Sequence, residues 1–253
     1  MPDPTQRFSN RVADYARWRP SYPAGVVGAL CAAGLLGPDK VVADLGAGTG
    51  IFTALLLPHA ARVFAVEPNA PMRAAAEAML GGDSRFRSVA GAAEATTLAT
   101  GSVDLVTVAQ AFHWFDVACA RAEFRRVLRP GGAVALVWNE RLTGASPFLA
   151  DYEALLLRRA TDYAKVNHAN IQAQDLAPFF GPGGYVLESF DYRQDFDLAG
   201  LTGRLLSSSY APAAGQPGHE EMLQELGEIF ARHQRDGRVA FLYQTKLYWG
   251  RLD

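Results

Sequence analysis

The stretch Val42-Ala43-Asp44-Leu45-Gly46-Ala47-Gly48-Thr49-Gly50 runs an apolar strand straight into a loop with glycine at every second position. Glycine lacks a Cβ and tolerates positive φ, so a tight strand-to-helix turn forms without steric penalty and its main chain can approach a ligand closely. A dinucleotide loop is spaced G-x-G-x-x-G, which sets a helix N-terminus against a pyrophosphate. Here Ile51 stands where that third glycine would be, and the tighter loop suits a ligand without a pyrophosphate. The next apolar run, Val63-Phe64-Ala65-Val66-Glu67-Pro68, ends in a carboxylate 17 residues beyond Gly50. A carboxylate there can accept two hydrogen bonds from a ribose diol. The bland alternative is that Glu67 and Asp44 only cap their turns.

Outward from this stretch, residues 40–138 alternate short apolar runs with helical patterns, the signature of parallel βαβ units. The pattern predicts strands at Val41–Leu45, Arg62–Val66, Phe86–Val89, Asp104–Ala109 and Ala133–Trp138. Their apolar content fits strands covered on both faces, hence a doubly wound sheet. Helices fall at Ile51–Leu57, Pro71–Leu80 and Val117–Leu128, the last with Asp116 as N-cap and stopped by Pro130-Gly131-Gly132. After Trp138 come helices around Pro147–Ala164 and Ile171–Phe179, long for a connection and so expected to carry function. A strand at Tyr185–Phe196, helices at Leu198–Ser208 and Glu220–His233, and a strand alternating from Val239 to Trp249 complete the chain. This order suggests a seventh strand inserted antiparallel. Ser207-Ser208-Ser209 reads as a polar helix end.

The 253 residues, 49% hydrophobic, suffice for one elaborated domain. We divide it into an N-terminal cofactor cover (1–36), a cofactor-binding core (37–138), a helical substrate-side insertion (139–184) and a C-terminal part completing the sheet (185–253). Net charge is −2 and the basic residues are scattered, which disfavours nucleic acid. The apolar run Val26 to Gly37 is too short to span a bilayer, and residues 1–12 carry no secretory pattern, so a cytoplasmic protein, monomeric or homodimeric, is expected. Cys31 and Cys119 sit singly within helical patterns, which indicates reduced core residues and no metal site.

Taken together, the glycine loop, the Glu67 strand end, Gly91-Ala92-Ala93-Glu94, Asp104–Trp114 and Arg126-Val127-Leu128-Arg129-Pro130-Gly131-Gly132 resemble the class I S-adenosylmethionine-dependent methyltransferases. The resemblance covers nearly the whole chain. Tyr15-Ala16-Arg17-Trp18-Arg19-Pro20-Ser21-Tyr22-Pro23, Ala109–Phe115, Arg204–Tyr210 and Tyr243–Gly250 are similar to its trans-aconitate methyltransferase-like branch. The resemblance implies a Rossmann-like α/β sheet of seven strands, mostly parallel with one antiparallel strand near the C-terminus, and helical additions forming a substrate cap. It implies S-adenosylmethionine as cofactor, with Gly46, Ala47, Gly48 and Gly50 along its methionine part and Asp44 near the ammonium. Glu67 would hold the ribose, with Pro68 and Met72 beside it, and Ala92, Ala93 and Glu94 would flank the adenine. Many relatives carry Asp where Ala92 stands, so a side-chain bond to the adenine is not expected there. Tyr15 and Arg19 would fold over the cofactor.

Methyl transfer from a sulfonium is an in-line displacement, so the protein mainly orients the acceptor and excludes water. A carboxylate acceptor is already nucleophilic, whereas a hydroxyl must lose a proton, work suited to a histidine. His113, set among Phe112, Trp114 and Phe115 at the C-terminal end of the fourth strand, is the candidate base; its alternative is a histidine packed in an aromatic turn. Gln110 could bond cofactor or acceptor, or serve as a buried amide. Arg17, Tyr22, Trp114 and Asn139 are the remaining candidate acceptor contacts, the arginine because its fork can clamp a carboxylate. The leading expectation is therefore methylation of a carboxylate or hydroxyl oxygen on a small molecule. A nicotinamide-dependent oxidoreductase on the same fold is disfavoured by the loop spacing, and a silent cofactor-binding protein stays open.

Overall fold

The computed structural model describes residues 12–161, 163 and 173–252. The expected helix over Pro147–Ala164 forms as Pro147–Arg159, and the second appears over Ala173–Phe180; Ala164, Ile171 and residues 1–11 lie outside the described residues.

Seven strands form one sheet: β1 (Val41–Leu45), β2 (Arg62–Val66), β3 (Phe86–Val89), β4 (Val103–Ala109), β5 (Leu128–Arg141), β6 (Val186–Phe196) and β7 (Val239–Gly250). Their order is β3-β2-β1-β4-β5-β7-β6. β1 to β5 pair in parallel, and β7 runs antiparallel between β5 and β6. The helices are α1 (Val12–Trp18), α2 (Ala24–Ala32), α3 (Ile51–Leu56), α4 (Ala70–Leu80), α5 (Val117–Val127), α6 (Pro147–Arg159), α7 (Ala173–Phe180), α8 (Leu198–Leu206) and α9 (His219–His233). The strand order reverses between β1 and β4, so a crevice opens past their C-terminal ends.

Alternation along the strands decides the two faces of the sheet. Val42, Val63, Leu105, Ala135 and Val137 pack under α2, α3 and α4 through Val26, Leu30, Phe52, Leu56 and Ala76. Ala43, Leu45, Val106, Val134 and Leu136 face α5 and α7 through Phe124, Val127, Phe179 and Phe180. A third cluster joins α6, α8 and α9 to the start of β7 through Tyr152, Leu201, Leu226 and Phe241. Side-chain caps fix several starts: Asp116 accepts from the Cys119 amide, Asn69 from Met72, Ser146 from Leu149 and Asp197 from Gly200.

Three expectations need correction. β5 is much longer than Ala133–Trp138: the helix does stop before Leu128, but Pro130-Gly131-Gly132 lies within the strand as an irregularity, with Val103 opposite Leu128 and Leu105 opposite Ala133. Cys119 is exposed on the outer side of α5 rather than in the core, and Cys31 is partly buried. Ser207 and Ser208 are fully buried, because α8 ends against the N-terminal segment and not in solvent: Ser207 Oγ donates to Arg204 O, and Ser207 O accepts from Arg19.

Candidate functional site

The crevice at the sheet reversal is a cavity of about 440 Å³, within the ~300–1,000 Å³ range of small-molecule sites. Its floor is the glycine loop. Gly46 and Gly48 have φ of +64° and +57°, and a Cβ on Gly46 would lie 2.6 Å from the Ala111 Cβ. That closeness lets β1 and the turn after β4 meet. The Gly46 and Ala47 amides both donate to Val66 O, at 2.9 and 3.2 Å, and the Gly48 amide donates to Glu67 Oε2 at 2.9 Å. These three amides are thus engaged inside the protein, and the loop lines the cavity with the small residues Gly46, Ala47, Gly48 and Thr49. Gly50, expected on the ligand, instead packs on α4: its Cβ would strike Leu80 at 2.7 Å, and it does not line the cavity.

Glu67 ends β2 and lines the cavity. Its Oε1 accepts from the Asn69 amide at 2.9 Å, and Arg73 fixes the chain by donating to the Glu67 and Pro68 carbonyls. With Gly48 on Oε2, two of the four acceptor positions of the carboxylate are taken and two remain. Burial raises its pKa, and the Asn69 and Gly48 amides pull it back. Asp44, also on the cavity wall, is 1% exposed. It accepts from Thr53 Oγ1 at 2.6 Å and Thr107 Oγ1 at 2.8 Å, yet burial still raises its pKa to about 6. Pro68, Met72, Ala92, Ala93 and Glu94 complete this end; Glu94 Oε1 accepts from the Asp116 amide at 2.8 Å.

At the other end Gln110, at φ +56°, holds the left-handed conformation uncommon for non-glycine residues and donates to Asn139 O at 3.1 Å. That strained turn brings Ala111, His113, Trp114 and Phe115 to the cavity, with Phe112 packed in the core and His113 beside Trp114 at a centroid distance of 4.7 Å. Asn139 is 2% exposed, and its amide is engaged: Nδ2 donates to Ser21 O at 2.9 Å, and Oδ1 accepts from Thr245 at 2.5 Å. It therefore ties β5 and β7 to the N-terminal segment. In that segment Tyr15, Arg19 and Tyr22 line the cavity, Arg19 lying over the Tyr15 ring at 4.8 Å. Tyr22 meets Phe52 edge-on at 5.0 Å, and burial pushes its pKa up. Arg17 is not brought to the cavity; it is exposed and lies over Trp18 at 4.6 Å.

The structure adds Arg141, Glu153, Tyr163, Arg204, Tyr210 and Tyr243 to the cavity wall. A signal for two of them existed. Continuing β5 past Trp138 places Arg141 on the same face as Asn139, and the register sets Tyr243 opposite Arg141 and Thr245 opposite Asn139. Arg204 and Tyr210 arrive only through the docking of α8.

A methyltransferase domain family model matches residues 43–136. An uncharacterized methyltransferase of Mycobacterium tuberculosis is 42% identical over 139 residues, 55% of this chain and 54% of that protein, so the chain spans about half the length of this relative. A methyltransferase-like protein of Schizosaccharomyces pombe is 30% identical over 248 residues, covering 95% of this chain and 93% of its own. A solved structure of a proposed type II methyltransferase from Anaeromyxobacter dehalogenans superposes with a TM-score of 0.69 at 26% identity, covering 92% of this chain and 97% of that one. Similarity sustained from end to end, on a sheet that opens its cavity at the glycine loop and Glu67, shows that the chain belongs to the class I S-adenosylmethionine-dependent methyltransferases.

Proposed function

We propose that this chain transfers the methyl group of S-adenosylmethionine to a carboxylate or hydroxyl oxygen of a small-molecule acceptor. The observation that carries the cofactor side is Glu67: a carboxylate fixed by two backbone amides, with two acceptor positions left, beside a loop of small residues. That donor-and-acceptor pattern fits a ribose diol next to an extended amino-acid moiety. When bound, the cofactor supplies the reactive sulfonium carbon. Glu67 holds the sugar, and Gly46, Ala47 and Gly48 pass under the methionine part. Asp44 offers negative charge to the ammonium, while Pro68, Met72, Ala92, Ala93 and Glu94 enclose the base. Tyr15 and Arg19 cover the cavity, and Gln110 sets the turn that carries His113 and Trp114.

On the acceptor side Tyr22 and Trp114 supply walls that exclude water, and His113 takes the proton of a hydroxyl acceptor. Asn139, its amide already engaged, acts by holding the cover in place. The scattered basic residues support a small acceptor over nucleic acid. Among the described residues no helix is long and apolar enough to cross a membrane, and no group of acidic, histidine or cysteine side chains is arranged to hold a metal ion. Cys31 and Cys119 are unbridged.

The test is calorimetric titration with S-adenosylhomocysteine. Wild type saturates, and Glu67→Ala binds at least about a hundredfold more weakly, as expected for losing two hydrogen bonds to a charged group, each ~1.5–3 kcal/mol. Undiminished binding by Glu67→Ala refutes the ribose role. NADH binding with no response to S-adenosylhomocysteine refutes the cofactor side of the proposal.

A further inference from the structure

Three guanidinium groups converge on the acceptor end of the cavity from three separate elements: Arg19 from the N-terminal segment, Arg141 from β5 and Arg204 from α8. The Arg141 side chain is 9% exposed and Arg204 is 5% exposed. Each group is partly engaged. Arg19 donates from Nη2 to Ser207 O at 3.0 Å, Arg204 from Nη1 to Ser208 Oγ at 3.1 Å, and Arg141 from Nη2 to Glu153 and, at 2.8 Å, to the Tyr163 hydroxyl. The Nε–H of all three is buried with no hydrogen-bond partner among the described residues. Three such buried donors around one cavity can take the acceptor atoms of a bound anion.

The charges around them are also unequal. Among the described residues lining this end, the carboxylates are Glu153, paired with Arg141, and Glu140, paired with Lys246 at 2.6 Å. Arg19 and Arg204 are left without a carboxylate partner, and burying uncompensated charge is costly. The other titratable groups facing the cluster are hydroxyls: Tyr15 from α1, Tyr152 from α6, Tyr163, Tyr210 and, from β7, Tyr243. Burial and neighbouring charges hold Tyr152 and Tyr163 above the ordinary phenol value. Tyr210 differs. Burial pushes it up, but Arg141, Arg204 and Arg19 outweigh burial and bring it below the ordinary value.

Resting on the proposed function, and going beyond it, we propose that Arg19, Arg141 and Arg204 form an anion subsite that selects a negatively charged acceptor. Tyr210, drawn below the ordinary phenol value by the same three guanidiniums, reports on their charge. When an acceptor carboxylate, or another anionic group, engages the open Nε–H donors, it offsets that charge and the titration of Tyr210 moves back upward. By linkage, such an anion binds more weakly as pH rises through the titration of Tyr210.

The experiment is a near-ultraviolet tyrosinate titration of the whole chain, comparing wild type with Tyr210→Phe and Arg204→Gln. Succinate serves as the anion probe and its dimethyl ester as the uncharged control. The wild type minus Tyr210→Phe difference should show one tyrosine titrating below the ~10 of an unperturbed phenol. Arg204→Gln should move that titration upward. Succinate should also move it upward and the diester should not. Coincident wild-type and Tyr210→Phe curves below about pH 10 overturn the gathering of the three arginine charges beside Tyr210. If Tyr210→Phe does not fold, an unperturbed wild-type titration overturns it equally. A low titration that succinate leaves unmoved overturns the subsite. Because none of these readouts uses the cofactor, failure to bind S-adenosylhomocysteine would sink the methyltransferase reading separately.

Discussion

Replacing Asp44 with asparagine separates the cost of a buried charge from its use. In the folded chain the Asp44 carboxyl titrates at about 6, against 3.8 for an ordinary aspartate, because burial outweighs the hydrogen bonds from Thr53 and Thr107. Between those values the native state holds a proton that the unfolded state has lost. The contribution of Asp44 to stability is therefore complete below pH 3.8 and declines as pH rises to about 6. At 1.36 kcal/mol per unit, the change is on the order of 3 kcal/mol. Other carboxylates also shape the absolute curve, so the informative quantity is the difference between wild type and Asp44→Asn. Urea unfolding from pH 3.5 to 7 should show the variant gaining on wild type by about 3 kcal/mol across that window. Calorimetry should show the opposite effect on the ligand: S-adenosylhomocysteine binds the variant about tenfold or more weakly at pH 7, and the gap closes below pH 6 as wild type protonates. A stability difference that stays flat from pH 3.5 to 7 would show that this carboxylate is not ionised against burial, and the reasoning fails.

Two further outcomes follow from the acceptor side and the cover. His113→Ala should slow a hydroxyl acceptor by ~10²–10⁴-fold more than a carboxylate acceptor, read as the ratio of kcat values; equal slowing would deny His113 a proton-transfer role. Trp18 fills a notch on α8 formed by Gly200 and Gly203, where an added Cβ on Gly203 would lie 2.1 Å from the indole Nε1. Gly203→Ala should expel that ring, shift tryptophan emission to the red and speed S-adenosylhomocysteine release, although alanine favours the helix by ~1 kcal/mol. Unchanged emission and release would show that the notch does not hold the cover closed.

Much of the core was readable because its signals are local. β1, β2 and β3 fall where the apolar runs place them, since each is short and punctuated by glycine, proline or a capping side chain. The β5 boundary was misread because Pro130-Gly131-Gly132 is ordinary turn chemistry, and pairing with β4 and β7 overrides it. Asn139 looked like an acceptor contact from its place at a strand end, but its bonds to Ser21 and Thr245 come from residues 118 and 106 positions away. Arg17 and Arg19 are two residues apart, and only the packing of Trp18 decides that Arg19 faces the cavity while Arg17 faces solvent.

By itself the sequence determined the parallel core, the tight loop at Gly46 to Gly50 and the carboxylate at Glu67, because glycine freedom, strand alternation and capping act over a few residues. The tertiary structure alone decided which polar groups remain available. It closed the Gly46, Ala47 and Gly48 amides onto Val66 and Glu67. It also gathered Arg19, Arg141, Arg204 and Tyr210 at one end of the cavity. Availability and charge balance depend on what stands opposite each group, and that is set by the docking of distant segments.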